Sequence, residues 1–155
     1  MTIRDAKLED KTTVLHLLDE FREDCILQIT GEPGTSDSAI KQGIAVYDEL
    51  LKRQDYCIKL LINDQGDVCG IITGYLCPLL RSGEYRAEVE EFFVKKEYRG
   101  NSNAKDLMDA FFDWCKSKGV VKVNLESDND LHRAHSFYKK YGFESKAQRF
   151  VKKLS

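Results

Sequence analysis

Three carboxylates, Glu88, Glu90 and Glu91, lie in an acidic and aromatic stretch that continues through Phe92, Phe93 and Val94. A carboxylate in such a place takes a proton from an incoming nucleophile or holds a cation. The polar loop Arg99-Gly100-Asn101-Ser102-Asn103-Ala104-Lys105 follows at once and opens onto an amphipathic helical pattern. A strand, a loop and a helix N-terminus in that order aim free backbone N–H groups and the positive end of a helix dipole at whatever lies in front. Phosphate or pyrophosphate suits that cradle. Acids beside an anion cradle are the parts of an enzyme that joins a phosphate-bearing cofactor to a basic substrate.

The elements that must position these groups follow from periodicity. Ile3 and Arg4 end a short first strand, and Asp10 to Arg22 carries a helical stripe of Val14, Leu15, Leu17, Leu18 and Phe21. Gly31 to Gly34 is a loop, and Thr35-Ser36-Asp37 is the N-cap region of a second helix reaching Arg53. Tyr56 to Ile62 and Val68 to Cys77 are strands of a hairpin around Asn63-Asp64-Gln65-Gly66-Asp67, with Pro78 as a stop. The acidic strand runs from Tyr85 to Val94, a helix from Ser102 to Lys118 with Gly119 as its cap, and a buried strand from Val120 to Leu125. Leu131 to Tyr141 is the last helix, and Phe143 onward provides one or two closing strands ending near Leu154. The order predicts one α/β (α+β) domain over residues 1–155, a mixed sheet covered by helices.

Composition narrows the function classes. An apolar share of 42% and a charged share of 32% are those of a soluble globular chain. A net charge of −2 argues against general nucleic-acid binding, and no apolar run is long enough for a membrane span. Five spread cysteines, Cys25, Cys57, Cys69, Cys77 and Cys115, form no Cys-x-x-Cys pair. They read as reduced, packed thiols of a cytoplasmic protein, with no metal site.

Val94, Arg99-Gly100 and Ala104 stand at the spacing Val-x-x-x-x-Arg-Gly-x-Gly-x-Gly/Ala, and Ala134, Tyr138, Gly142 and Phe143 at Ala-x-x-x-Tyr-x-x-x-Gly-Phe. With these two signatures and the element order, the chain resembles the GNAT superfamily of acyl-CoA-dependent N-acetyltransferases. The resemblance implies a mostly antiparallel sheet of six to seven strands with about four helices, splayed between the fourth and fifth strands. It also implies acetyl-CoA in that gap. Backbone of Phe92, Phe93 and Val94 would bond the pantetheine arm, and N–H groups of Arg99, Gly100, Asn101, Ser102, Asn103 and Ala104 the pyrophosphate. Arg99 and Lys105 would add charge, and Phe137 and Tyr138 would line the cofactor. Asn129 is a further cofactor candidate, because the family's asparagine before the motif alanine is Leu131 here. Ser102 replaces the usual glycine, and its hydroxyl could donate to phosphate or cap the helix.

Attack on a thioester needs a deprotonated amine and a proton returned to the leaving thiolate. Strict alternation puts Glu88, Glu90, Phe92 and Val94 on one strand face, and Val89, Glu91 and Phe93 on the other. Glu90 is the first candidate for the base, directly or through water. A bulge would shift the parity and make Glu91 the candidate. Either carboxylate, or Glu88 with Glu90, could instead bind a cationic substrate. The resemblance makes Tyr138 the proton donor to the thiolate, the alternative being a core aromatic. Glu20, Glu23, Asp24, Glu32 and Asp37 add negative charge where the family binds substrate, which favours a cationic amine. Polyamines, aminoglycoside-like compounds, amino-acid derivatives and protein lysines or N-termini all satisfy that, and a non-catalytic acyl-CoA sensor is the reading from another class. Gln148 to Val151 offers a strand for a homodimer or for the chain's own sheet.

Overall fold

In the computed structural model, which describes residues 1–154, five strands form one sheet in the order β1-β2-β3-β4-β5. The strands are β1 (Thr2–Asp5), β2 (Tyr56–Ile62), β3 (Val68–Leu79), β4 (Glu84–Val94) and β5 (Val123–Leu125). The helices are α1 (Lys11–Thr30), α2 (Ser38–Leu51), α3 (Asn103–Ser117) and α4 (His132–Lys140). All neighbours run antiparallel except β4 and β5, which are parallel. Four helices and a mostly antiparallel mixed sheet match the expectation; six to seven strands do not. Residues 144–154 form neither strand nor helix, and Phe150, Val151 and Leu154 are exposed. Lys146, Arg149, Lys152 and Lys153 break up the apolar positions there, so no continuous face forms to pack on the sheet.

Helix α1 extends past Arg22 to Thr30, where Gly31 takes a φ of +77° and donates its N–H to the Leu27 carbonyl at 2.9 Å. The stripe that marked its first half does not mark the second, since Leu27 and Ile29 are exposed. Strand β3 runs through Pro78 because β2 reaches only to the level of Tyr75. With one neighbour left, the missing N–H breaks no central ladder. Strand β5 is shorter than expected: Val121 is exposed, and the Val120 N–H goes to Cys115 at the end of α3.

Two cores hold the layers. Val14, Leu17 and Tyr47 from α1 and α2 cover Ile58, Leu60, Ile71 and Phe93 on one sheet face. Leu107, Met108, Phe111 and Cys115 from α3 cover Leu61, Ile72, Ala87, Val89 and Val94 on the other. Each fully buried large side chain contributes about 1.5–3 kcal/mol of transfer free energy. Gly74 lets β3, β4 and α3 close up: a Cβ there would stand 2.3 Å from the Glu88 carbonyl oxygen and 2.6 Å from the Phe111 ring.

Strict alternation along β4 does not hold. Ile72 is level with Phe92 but Gly74 with Val89, so Glu90 and Glu91 together oppose Thr73. The bulge puts Val89 on the α3 face with Phe92 and Val94, and turns Glu88 to the face of Phe93. This corrects the expected grouping of Glu88 and Glu90 with Phe92 and Val94.

Candidate active site

Strand β5 pairs with β4 only from Ala87 to Val89, while β4 runs on to Val94. Beyond Val89 that edge of β4 has no strand beside it among the described residues, and a cleft of about 720 Å³ opens there. One wall is Val89, Glu90, Phe92, Phe93 and Val94; the other is Leu125 to Asp128 with Ala134, Phe137 and Tyr138 of α4. Helix α1 closes a third side with Phe21, Asp24, Cys25 and Gln28. An extended chain placed in the cleft can bond the free β4 edge as an added strand would.

The bulge sorts the three carboxylates. Glu90 is exposed, lines the cleft and makes no ion pair among the described residues. Glu91 is partly buried, accepts a bond from the Thr73 hydroxyl and lies outside the cleft wall. Burial, then the charge of Glu90, pushes its carboxyl up to about 7. Glu88 also lies outside the cleft wall and pairs with Arg86 at 2.7 Å.

At the far end of the cleft lies the loop before α3. Gly100 has a φ of +90°, which a side chain would strain, and Gly100, Asn101, Ala104 and Lys105 line the cleft. Ser102 makes no side-chain cap; its hydroxyl donates to Asp106 at 2.6 Å, and no cap side chain claims the first-turn N–H groups. Asn103 is buried and donates to the Tyr98 carbonyl at 2.9 Å. The Arg99 side chain is fully engaged: Nε donates to the Val94 carbonyl at 2.6 Å, the guanidinium lies 5.3 Å from the Phe93 ring centre, and Nη2 meets Asp24 at 3.1 Å. Lys105 pairs with Asp109 at 2.6 Å.

Tyr138 stands in the α4 wall against Phe92 and Phe143, with ring centres 6.3 and 5.8 Å away. Burial, and then Cys25 nearby, pushes its phenol up to about 12, so it keeps its proton at neutral pH. Cys25 is itself held as a thiol, chiefly by desolvation and then by Asp24. Asp24 ties α1 to the mouth of the cleft: its Oδ2 accepts from Arg99 at 3.1 Å, Arg133 at 3.2 Å and Gln28 at 2.7 Å.

The cleft therefore gathers Glu90, Phe92, Phe93, Val94, Arg99, Gly100, Asn101, Ala104, Lys105, Phe137 and Tyr138 among the residues named from the sequence. It leaves Glu88, Glu91, Ser102, Asn103 and Asn129 outside its lining. Sequence reasoning read Asp24 only as one of several acids of the substrate region and Cys25 only as a packed thiol, and passed over Ser127 and Arg133. The first two lie in the half of α1 with no periodic stripe, and nothing local marks them. Ser127 had one signal, its place just after β5. No group of three or more potential metal ligands occurs among the described residues, and no helix among them is long and apolar enough to cross a membrane.

Comparisons with known proteins bear on this arrangement. Residues 16–143 match the acetyltransferase (GNAT) family. N-alpha-acetyltransferase 30 of Schizosaccharomyces pombe is 35% identical over 63 residues, or 41% of this chain. A putative ribosomal protein bS18-alanine N-acetyltransferase of Bacillus subtilis is 29% identical over 112 residues, or 72% of this chain. The matched segments span 42% and 65% of those relatives' own lengths. The fold is similar to that of a transcriptional regulator from Bacillus halodurans, with a TM-score of 0.81 and 19% identity over 99% of both chains.

Proposed function

The chain belongs to the acetyltransferase (GNAT) family, and on that premise we propose that it moves an acetyl group from acetyl-CoA to a primary amine by direct attack in a ternary complex. The observation that carries this reading is one cleft holding an ion-pair-free Glu90 and a protonated Tyr138 beside an unpaired strand edge. The residues present suit the cofactor. Phe92 to Val94 offer the pantetheine arm a strand edge that β5 leaves unpaired, with the Val94 carbonyl already accepting from Arg99. The uncapped start of α3 offers N–H groups to the pyrophosphate. Arg99 contributes its backbone there, since its side chain is committed to Val94 and Asp24.

Bound acetyl-CoA supplies an acetyl thioester. Glu90 takes the proton of the acceptor ammonium, directly or through one water, which frees the nitrogen lone pair for attack on the thioester carbon. Tyr138 gives its phenolic proton to the departing sulfur, and the second proton that the nitrogen sheds on becoming an amide restores the phenol. Phe92, Phe137 and Phe143 pack around its ring. Glu91, its carboxyl pushed up to about 7, stands behind the bulge as the alternative base.

The acceptor is proposed to be a cationic small amine, such as a polyamine, an aminoglycoside-like compound or an amino-acid derivative. Much of the acidic charge that favoured such a ligand is spent inside the fold. Glu20 pairs with Lys95, Asp24 with Arg99 and Arg133, and Asp37 with Lys41, while Glu23 accepts the Ser36 N–H. Glu90 remains to meet the amine. A second reading, acetylation of protein N-termini, is favoured by the names of both sequence relatives.

Free-thiol release from acetyl-CoA, followed against polyamines, aminoglycosides, amino acids, lysine peptides and free N-terminal peptides, tests the proposal. Turnover with one class identifies the acceptor. A protein that neither turns over nor is stabilised by acetyl-CoA would defeat it.

A further inference from the structure

The wall opposite β4 contains one polar group that the fold does not use. Ser127 lies two positions past Leu125, the last β5 residue in register with β4, and lines the cleft. Its hydroxyl oxygen is shielded from solvent and has no hydrogen-bond partner among the described residues. A buried polar group left in that state costs the free energy of its desolvation, and native folds rarely leave one. The flanking side chains are exposed and carry charge: Glu126 pairs with Arg149 at 2.6 Å, and Asp128 Oδ1 accepts the Asp130 N–H at 3.0 Å.

Resting on the cofactor reading above, we propose that the Ser127 hydroxyl, turned about its Cα–Cβ bond out of its shielded position, hydrogen-bonds an amide of the pantetheine arm of acetyl-CoA, from the side opposite β4. An extended polyamide has donors and acceptors along both of its edges. One edge is met by the β4 backbone beyond Val89, which β5 leaves unpaired. The other faces the lip after β5, where Ser127 carries a neutral hydroxyl without a partner among the described residues. The contact is a positioning one, since it holds the arm and takes no part in proton transfer.

Calorimetric titration of the wild type, Ser127→Ala and Ser127→Thr tests this, with CoA and with adenosine 3′,5′-bisphosphate, which lacks the arm. Losing one neutral hydrogen bond lowers CoA affinity in Ser127→Ala about three- to tenfold. Affinity for the bisphosphate stays the same, and Ser127→Thr keeps most of the CoA affinity. Melting of the ligand-free proteins gives a second readout: Ser127→Ala melts at or above the wild-type temperature, because an unsatisfied group has gone. Equal CoA affinity in wild type and Ser127→Ala overturns the inference while leaving the cofactor reading intact. So does a drop of several degrees in the free variant, which would mean that the fold itself uses the hydroxyl. A rise in amine KM with CoA affinity unchanged assigns the hydroxyl to the acceptor and also overturns it. A wild type that binds no CoA overturns the cofactor reading and this inference together.

Discussion

Asp24 and Arg99 form a partition: their ion pair, 3.1 Å between Oδ2 and Nη2, borders both the 720 Å³ cleft and a second cavity of about 240 Å³ beneath the α1–α2 loop. The same carboxylate oxygen holds Arg133 at 3.2 Å. Asp24→Asn removes the negative charge between two arginines at the cofactor end of the cleft. Arg99 stays in place through Val94 and Phe93, and Arg133 is released toward the mouth. We expect acetyl-CoA to bind about two- to fivefold tighter at low ionic strength, with the gain fading in concentrated salt. Titration at two salt concentrations checks this; a gain of the same size at both would show that charge is not the cause.

Tyr138→Phe keeps the ring packing against Phe92 and Phe143 and loses only the phenolic proton. The expected result is a fall in kcat of about 10²-fold, the usual scale for a lost general acid, with acetyl-CoA affinity within twofold of wild type. Thiol-release kinetics and titration measure the two separately. A kcat within threefold of wild type would make Tyr138 a packing residue.

Glu91 makes stability depend on pH. Its folded-state carboxyl titrates at about 7, above its ordinary 4.5, so between those values the folded chain holds a proton that the unfolded chain has lost. Its contribution is complete below 4.5 and disappears as pH rises through 7, to an upper limit of about 3 kcal/mol. Glu91→Gln should therefore match the wild type near pH 5 and exceed it at pH 8.5. Denaturant unfolding at the two pH values decides; parallel behaviour would mean that Glu91 ionises freely.

Asp19 of α1 caps α2 from across the interface. Its Oδ1 accepts the Ser36 hydroxyl at 2.8 Å and the Ala39 N–H at 2.9 Å, and its Oδ2 the Ile40 N–H at 3.0 Å. Desolvation works to raise its carboxyl, but the bonds from Ala39, Ile40 and Ser36 outweigh it and hold it below the ordinary value. The stability it gives is present above the ordinary carboxylate pKa and lost as pH falls through the lowered one. Asp19→Ala should cost about 2 kcal/mol, the upper range for a lost cap, with Asp19→Asn recovering part of it. A thermal melt of Asp19→Ala that matches the wild type would refute the capping role.

Local spacing made some of this site legible and tertiary placement hid the rest. The loop at Gly100 and the tyrosine at 138 could be read because each lies within a few positions of the residues that define its motif. The strand and helix order was legible because apolar period and turn residues agree along most of the chain. Asp24 was legible only as one acid among several; its ion pairs were not, since Arg99 and Arg133 meet it only after α1 has crossed the open end of the sheet. Asp19 was hidden for the same reason: it caps a helix other than its own. The segment after Phe143 was misread because apolar residues at Phe150, Val151 and Leu154 were counted without a partner strand to receive them.

The extra residue at Glu90 and Glu91 makes β4 sensitive to a change in length rather than in chemistry. Most single substitutions there alter one side chain. A one-codon deletion at the bulge would restore strict alternation while Ala87, Val89, Phe92 and Val94 all keep to the α3 face. The one glutamate left would share the face of Glu88 and Phe93, and the arrangement of one carboxylate in the cleft and one behind the strand would be lost. Insertions and deletions in this lineage should therefore collect in the turns around Gln65 and Ser82, and avoid the two glutamates.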